Sequence, residues 1–261
     1  DVLGRSWQIG SGRIISDELR LDVIEDFRSE DIAQGGQGRP FTPVYYAALV
    51  RQLARDHPVC VLSLDTIATV TFLGQGASLP DMIAFEAGPG TGLVDEWLHL
   101  HEGKGDTPEG GIAASGKVDE EAVAMMALTP YVRRSLPKFL SGHEFKLKAI
   151  EHLEVEDGAA TLCAFSAEAI KRTVALLPEL PGEWIVCGSG RHNVALLDHL
   201  KQRLEAPVLT ADEVDWRADH LEAECFAYMA VRSLKKLPLS YPKTTRVPHP
   251  FTGGTYQRAP I

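Results

Sequence analysis

The chain has 261 residues, 44% of them hydrophobic and 24% charged, with a formal charge of −10 from 26 basic and 36 acidic side chains. Those values exclude global disorder, collagen and coiled coil, and the acidic balance argues against a nucleic-acid or anionic-lipid partner while leaving room for a local phosphate pocket. No apolar run reaches the roughly 18–20 residues of a membrane span, and Asp1 to Arg13 lack a secretory-signal pattern.

In chain order, Trp7 to Gly12 reads as a strand entering a turn, with Arg13 to Ser16 as its returning strand. Leu21 to Ile24 is a short strand that runs into Asp26-Phe27-Arg28, and Gly35 to Gly38 is a flexible loop. Residues 43–56 have helical spacing. Val59 to Leu64 is a near-continuous apolar run, as in a strand buried on both faces. Ile67 to Leu73 and Met82 to Phe85 are the next strands, and a glycine-rich turn, Glu86 to Gly92, leads into a helix over 93–101. Residues 102–116 read as a surface loop, 118–127 as a helix and 129–145 as irregular. A helical pattern spans 158–177, a strand 184–187, a helix 194–204 and a short strand 208–209. A well-buried helix spans 221–234, and an extended tail begins at Pro238.

The four cysteines, Cys60, Cys163, Cys187 and Cys225, are widely spaced in apolar stretches. They read as small buried hydrophobes in the cytoplasm or another reducing compartment, an organelle matrix included. His99 and His101, with Glu96 and Glu102 nearby, match no common metal spacing, so no metal ligands are expected. Gly188 to Asn193 lies between a strand and a helix, where glycines admit a ligand to the backbone and free N–H groups favour an anion. Such junctions equally serve as packing devices. Gly88 to Gly92 has the same character, and Glu86 before it is either a general base or a surface glutamate. Asp26 and Arg28 form either a substrate-gripping pair or an internal salt bridge.

Several ordered segments carry a resemblance: Gln8 to Gly12, Asp26-Phe27-Arg28, Gly35 to Gly38, Ala84 to Gly90, Gly116 to Asp119, Glu156 to Leu162, Val186 to Asn193 and Glu222 to Ala227. Through them the chain resembles the anhydro-N-acetylmuramic acid kinase family, most closely its alphaproteobacterial form. The resemblance implies an α/β fold with ribonuclease-H-like lobes, shared with sugar kinases, heat-shock ATPases and actin. It implies ATP with Mg²⁺ as cofactor, and phosphorylation of 1,6-anhydro-N-acetylmuramic acid while water opens the anhydro bridge, in cell-wall recycling. An aspartate activates that water, and Glu86 is the matching position. The resemblance further implies nucleotide contacts at Gly88, Gly90, Gly188, Gly190 and Asn193, and sugar contacts at Asp26, Arg28, Gln37 and Glu222.

The chain departs from the family pattern where the chemistry lies. Members begin with a phosphate loop of the type Ser-Gly-Thr-Ser-x-Asp-Gly, well ahead of the Gln-Ile-Gly segment near which this chain starts. The expectation is a remnant of the first lobe over 1–57 and a second lobe over 58–261. The family's Asn-x-Gly-Gly-x-Ala-Asn hairpin is here Ser63 to Thr69, with Asp65-Thr66 in place of the glycines. A carboxylate about 4 Å from a phosphate oxygen, at an effective dielectric near 20, repels by about 4 kcal/mol. Glu86 for aspartate shifts the carboxylate by about 1 Å. An arginine expected after Pro137-Lys138 is missing from Phe139 to Gly142. The expectation is therefore impaired ATP binding and catalysis in a protein kept as a structural or interaction subunit, as a homodimer or in a complex covering the truncated lobe. The alternative is an active kinase whose first lobe comes from elsewhere.

Overall fold

The computed structural model describes residues 6–102, 109–140 and 144–260. It opens with α1 (Gly12–Leu19), capped by the Ser11 side chain, which accepts from the Ile14 amide. The hairpin expected over 7–16 is thus corrected to a helix. Ser11 at the cap and the Arg13–Asp17 pair at i,i+4 supply the local reasons. Strand β1 (Val23–Glu25) follows, then α2 (Phe27–Ala33), begun by Asp26, whose side chain accepts from the Ser29 amide. Helix α3 (Pro43–Leu53) starts with proline at its first position, where no N–H is needed.

The apolar run becomes β2 (Val59–Leu64), buried at every residue but Ser63. It forms an antiparallel hairpin with β3 (Ala68–Leu73), after which β4 (Ile83–Gly88) leads into α4 (Gly92–Glu102). Short helices α5 (Gly111–Ser115) and α6 (Glu120–Met126) precede the central α7 (Val155–Thr173). Within the stretch expected to be a loop over 102–116, the described part therefore contains a helix; residues 103–108 lie outside the described residues. Strand β5 (Glu183–Cys187), α8 (Val194–Arg203) and β6 (Val208–Thr210) complete this part.

The sheet order is β4-β3-β2-β5-β6, with β2 antiparallel to β3 and parallel to β5, and β5 parallel to β6. Counted from β2, that is third, second, first, fourth, fifth: the expected ribonuclease-H-like arrangement. Helix α7 packs against α4, α5, α6 and α8. Acidic Glu156 and Asp157 in its first turn and basic Lys171 and Arg172 in its last suit the helix dipole. Gly158 lets α7 approach closely: a Cβ there would lie 2.4 Å from the Trp97 ring.

The chain closes with α9 (Leu221–Leu234) and β7 (Thr255–Gln257), which pairs antiparallel with β1. Two compact units result. The first takes in Asp1–Ala54, Ala77–Ala84 and His220–Ile261, and the second Arg55–Gly76 and Phe85–Asp219. The C-terminal residues join the first unit because β7 pairs with β1, and because Tyr45 of α3 donates to Glu224 of α9 at 2.5 Å. All four cysteines are buried free thiols, and burial pushes the Cys225 thiol up to about 12. Among the described residues no helix is long and apolar enough to cross a membrane.

Candidate active site

In the second unit three chain reversals meet at the tip of the β2–β3 hairpin. The first is the hairpin turn itself, Asp65-Thr66, which is exposed. The second is the turn after β4. Its Thr91 amide donates to the Asp65 carbonyl at 2.9 Å, and its Gly92 amide to the Thr66 carbonyl at 3.2 Å. Gly90 has φ +53, and a Cβ there would lie 2.1 Å from the Asp65 carbonyl oxygen. Only glycine fits this contact without strain. Ser166 of α7 fixes the turn from below, donating to the Gly90 carbonyl at 2.8 Å.

The third reversal follows β5. Gly188 has φ 84 and ψ 174, a region essentially confined to glycine, and a Cβ there would lie 2.5 Å from the Leu64 carbonyl oxygen. Gly190 is buried, with Leu64 and Thr91 about its Cα. The buried guanidinium of Arg191 secures this turn. It donates to the Gly188 carbonyl at 3.1 Å and pairs with Asp212 at 2.8 Å and Asp219 at 2.5 Å. Those carboxylates hold its proton above the usual range against the opposing effect of burial. Gly90, Gly188 and Gly190 thus come together at the hairpin tip. Gly88 instead faces Ala169 of α7, 3.0 Å from where its Cβ would stand. Asn193 is buried, and its side chain caps α8 by accepting from the Leu196 amide at 3.0 Å.

Ser189 in the third turn is already engaged. The Ser189 amide donates to one oxygen of the Asp65 carboxylate at 3.0 Å, and the Ser189 hydroxyl to the same oxygen at 3.2 Å. The Ser63 hydroxyl donates to the other oxygen at 2.9 Å. A backbone N–H beside a glycine, the kind of group that receives an anion, here receives the chain's own anion. Exposure tempers the repulsion expected from sequence: toward the bulk-water limit, two unit charges 4 Å apart repel by about 1 kcal/mol rather than about 4.

Glu86 lies within β4 and is buried, which overturns its reading as a surface glutamate. Its carboxylate accepts from the Leu140 amide at 2.6 Å, its amide donates to the Lys138 carbonyl at 3.2 Å, and its carbonyl accepts from the Tyr131 hydroxyl at 2.6 Å. Lys138 is 2% exposed, with its ammonium 4.8 Å from the Tyr131 ring centre. Burial, and secondarily Arg134, lower its proton affinity to about 8. The irregular stretch that supplies these contacts carries no periodicity, so sequence reasoning has no means of finding Tyr131 or Leu140. Ser141 and Gly142, where the family arginine is missing, lie outside the described residues.

In the first unit a cleft of about 600 Å³ is lined by Glu25, Asp26, Arg28, Arg39 and Glu222 among apolar neighbours. Asp26 holds a left-handed backbone at φ 50, and the Arg28 side chain donates to the Gly38 carbonyl at 3.0 Å. Gln37 does not line the cleft; its amide donates to the Thr245 carbonyl at 2.6 Å. The Gly35 to Gly38 loop is organised by buried Asp31, whose carboxylate accepts from the Gly38 amide at 2.6 Å. Among the described residues no group of three or more His, Cys, Asp or Glu is placed to hold a metal.

The family profile described as anhydro-N-acetylmuramic acid kinase matches residues 2–257. The anhydro-N-acetylmuramic acid kinase of Zymomonas mobilis is 41% identical over 97% of this chain and 68% of its own length. That of Caulobacter vibrioides is 44% identical over 97% of this chain and 67% of its own. The chain therefore spans about two thirds of the length of these relatives. Among solved structures, the ADPNP-bound activator of 2-hydroxyisocaproyl-CoA dehydratase from Clostridium difficile covers 70% of this chain, and 64% of its own, at 14% identity and a TM-score of 0.42. The chain belongs to the anhydro-N-acetylmuramic acid kinase family.

Proposed function

We propose that this chain is an anhydro-N-acetylmuramic acid kinase-type protein in which the family's phosphotransfer is impaired at the phosphate side, and which is retained as a structural or interaction subunit. The family reaction is ATP-dependent phosphorylation of 1,6-anhydro-N-acetylmuramic acid with hydrolytic opening of its anhydro bridge. One observation carries the impaired reading: the Asp65 carboxylate sits on the Ser189 amide and hydroxyl. In this reading Gly88, Gly90, Gly188, Gly190 and Asn193 belong to the nucleotide side, Asp26, Arg28, Gln37 and Glu222 to the sugar side, and Glu86 is the water-activating group. On the same reading residues 1–57 descend from the first lobe and 58–261 from the second, although 77–84 and 220–261 cluster with 1–54 as one compact unit.

The fit to ATP with Mg²⁺ is mixed. The Ser189 amide beside Gly188 is a donor of the kind a phosphate needs, whereas Asp65 presents an acceptor there, and the close contacts of Gly90 and Gly188 are with the hairpin's own backbone. A buried carboxylate held by a backbone donor suits a proton-accepting role toward water. Four buried thiols suit a reducing compartment. The subunit role calls for a homodimer or a protein complex.

A second reading, an active kinase, draws on the exposure of Asp65, which softens its repulsion, and on the restraint of Glu86. Titration calorimetry with MgATP and with the anhydrosugar, beside a coupled ADP-release assay, separates the two. The impaired reading expects no turnover above background. Sustained ADP release that depends on the anhydrosugar would establish the second reading. Sedimentation tests the partner: a chain that stays monomeric and co-purifies with nothing removes the subunit role.

A further inference from the structure

Glu86 is gripped by one short segment, and by a group that no periodicity in the sequence announces. The Lys138 carbonyl accepts from the Glu86 amide at 3.2 Å, the Tyr131 hydroxyl donates to its carbonyl at 2.6 Å, and the Leu140 amide donates to its carboxylate at 2.6 Å. The segment 131–140 has no regular secondary structure to hold it in this shape. Besides the bonds made through Glu86 and the Arg134 donation to the Phe139 carbonyl, the Lys138 ammonium ties the segment to β4. Lys138 Nζ donates to the Val132 carbonyl at 3.3 Å, near the segment's start, and to the Ala87 carbonyl at 3.4 Å, one residue past Glu86 on β4. It lies against the fully buried Tyr131 ring, so the side chain that donates to Glu86 also shelters the ammonium.

We infer that Lys138 is a positioning residue for the Glu86 carboxylate: by bridging Val132 and Ala87 it closes the 131–140 segment over β4 and sets the Leu140 amide on the carboxylate. This rests on the reading of Glu86 as the water-activating group. Lys138 does not touch the reacting atoms; it acts through Leu140. A buried lysine whose ammonium donates to the Val132 carbonyl and to a carbonyl near the end of β4 is costly to keep. Its place is accounted for by what it holds closed.

Amide hydrogen exchange on the full chain tests this, with Lys138→Met, Lys138→Arg and wild type compared. Lys138→Met is expected to speed exchange at the Glu86 and Leu140 amides by about tenfold or more, with Leu62 and Val186 in the sheet unchanged. Lys138→Arg, which keeps the charge and the donors, is expected to retain protection. Unchanged protection at Leu140 in Lys138→Met overturns the inference, and so does an equal loss across β2 and β5, which would mark a general packing role. Should Lys138→Met fail to fold, Lys138→Gln takes its place with the same two readings. Sugar opening is measured separately, with and without nucleotide. If the wild type opens none, as the impaired reading expects, the positioning stands or falls on Leu140 protection alone. If the wild type opens the sugar, Lys138→Met should lower kcat with KM little changed.

Discussion

Two carboxylates of the second unit sit in opposite surroundings. Glu86 is buried in a strand with its amide, carbonyl and carboxylate all engaged by one segment. Asp65 is exposed at a hairpin tip, engaged by two hydroxyls and one amide. Burial makes the first arrangement costly to disturb, because a freed donor or acceptor has no water to turn to. Exposure makes the second cheap to disturb, because water and salt ions stand in for a broken hydrogen bond. In the proposed reading the restrained group takes a fixed chemical role, whereas the exposed one governs whether an anion reaches the turn.

The most damaging change should be one that strikes what holds the exposed region together. Gly90→Val places a branched side chain at φ +53 against the Asp65 carbonyl, and should destabilise the protein by about 3 kcal/mol or more in urea unfolding. A cost under about 1 kcal/mol would mean that the three turns do not depend on this close approach. In the buried region, Tyr131→Phe leaves the Glu86 carbonyl without its hydroxyl donor and should cost about 1–2 kcal/mol by the same measurement.

The Lys138 ammonium gives a pH test with a defined sign. Its folded proton affinity is lowered to about 8 from an ordinary 10.5. Between those values the unfolded chain holds a proton that the folded chain has released, so stability should rise with pH through that window. Below about 8 both states are charged and the penalty of burial is present in full. Urea midpoints at about pH 7.5 and about pH 10 should show this rise in wild type relative to Lys138→Met. Parallel midpoints would show that the ammonium is not held as described. Asp65→Asn should change stability least, within about 0.5 kcal/mol, because the site is exposed.

Much of the second unit is legible in the sequence. The runs that form β2 and β5 are apolar at nearly every position because both faces are covered, and α7 shows its period over many turns. The start of the chain is not: Ile14, Ile15 and Leu19 are apolar yet exposed on α1, so the pattern of hydrophobicity does not report a core there. Of the site, Gly90, Gly188 and Gly190 are legible because their backbone conformations or close contacts require glycine. The caps formed by Asp26 and Asn193 cannot be separated by sequence from binding roles, since a short polar side chain at a helix start serves either purpose. The grip on Glu86 comes from a stretch without repeat or regular structure, and only tertiary contact reveals it.

If the chain's own carboxylate competes for the donors of the Gly188 turn, removing its charge must open that turn to an anion. Calorimetric titration of MgATP into wild type and Asp65→Asn, side by side at one salt concentration, measures this competition. Removing one exposed charge should tighten binding by about fivefold, which corresponds to about 1 kcal/mol. Equal affinities in the two proteins, or tighter binding by the wild type, would contradict the account.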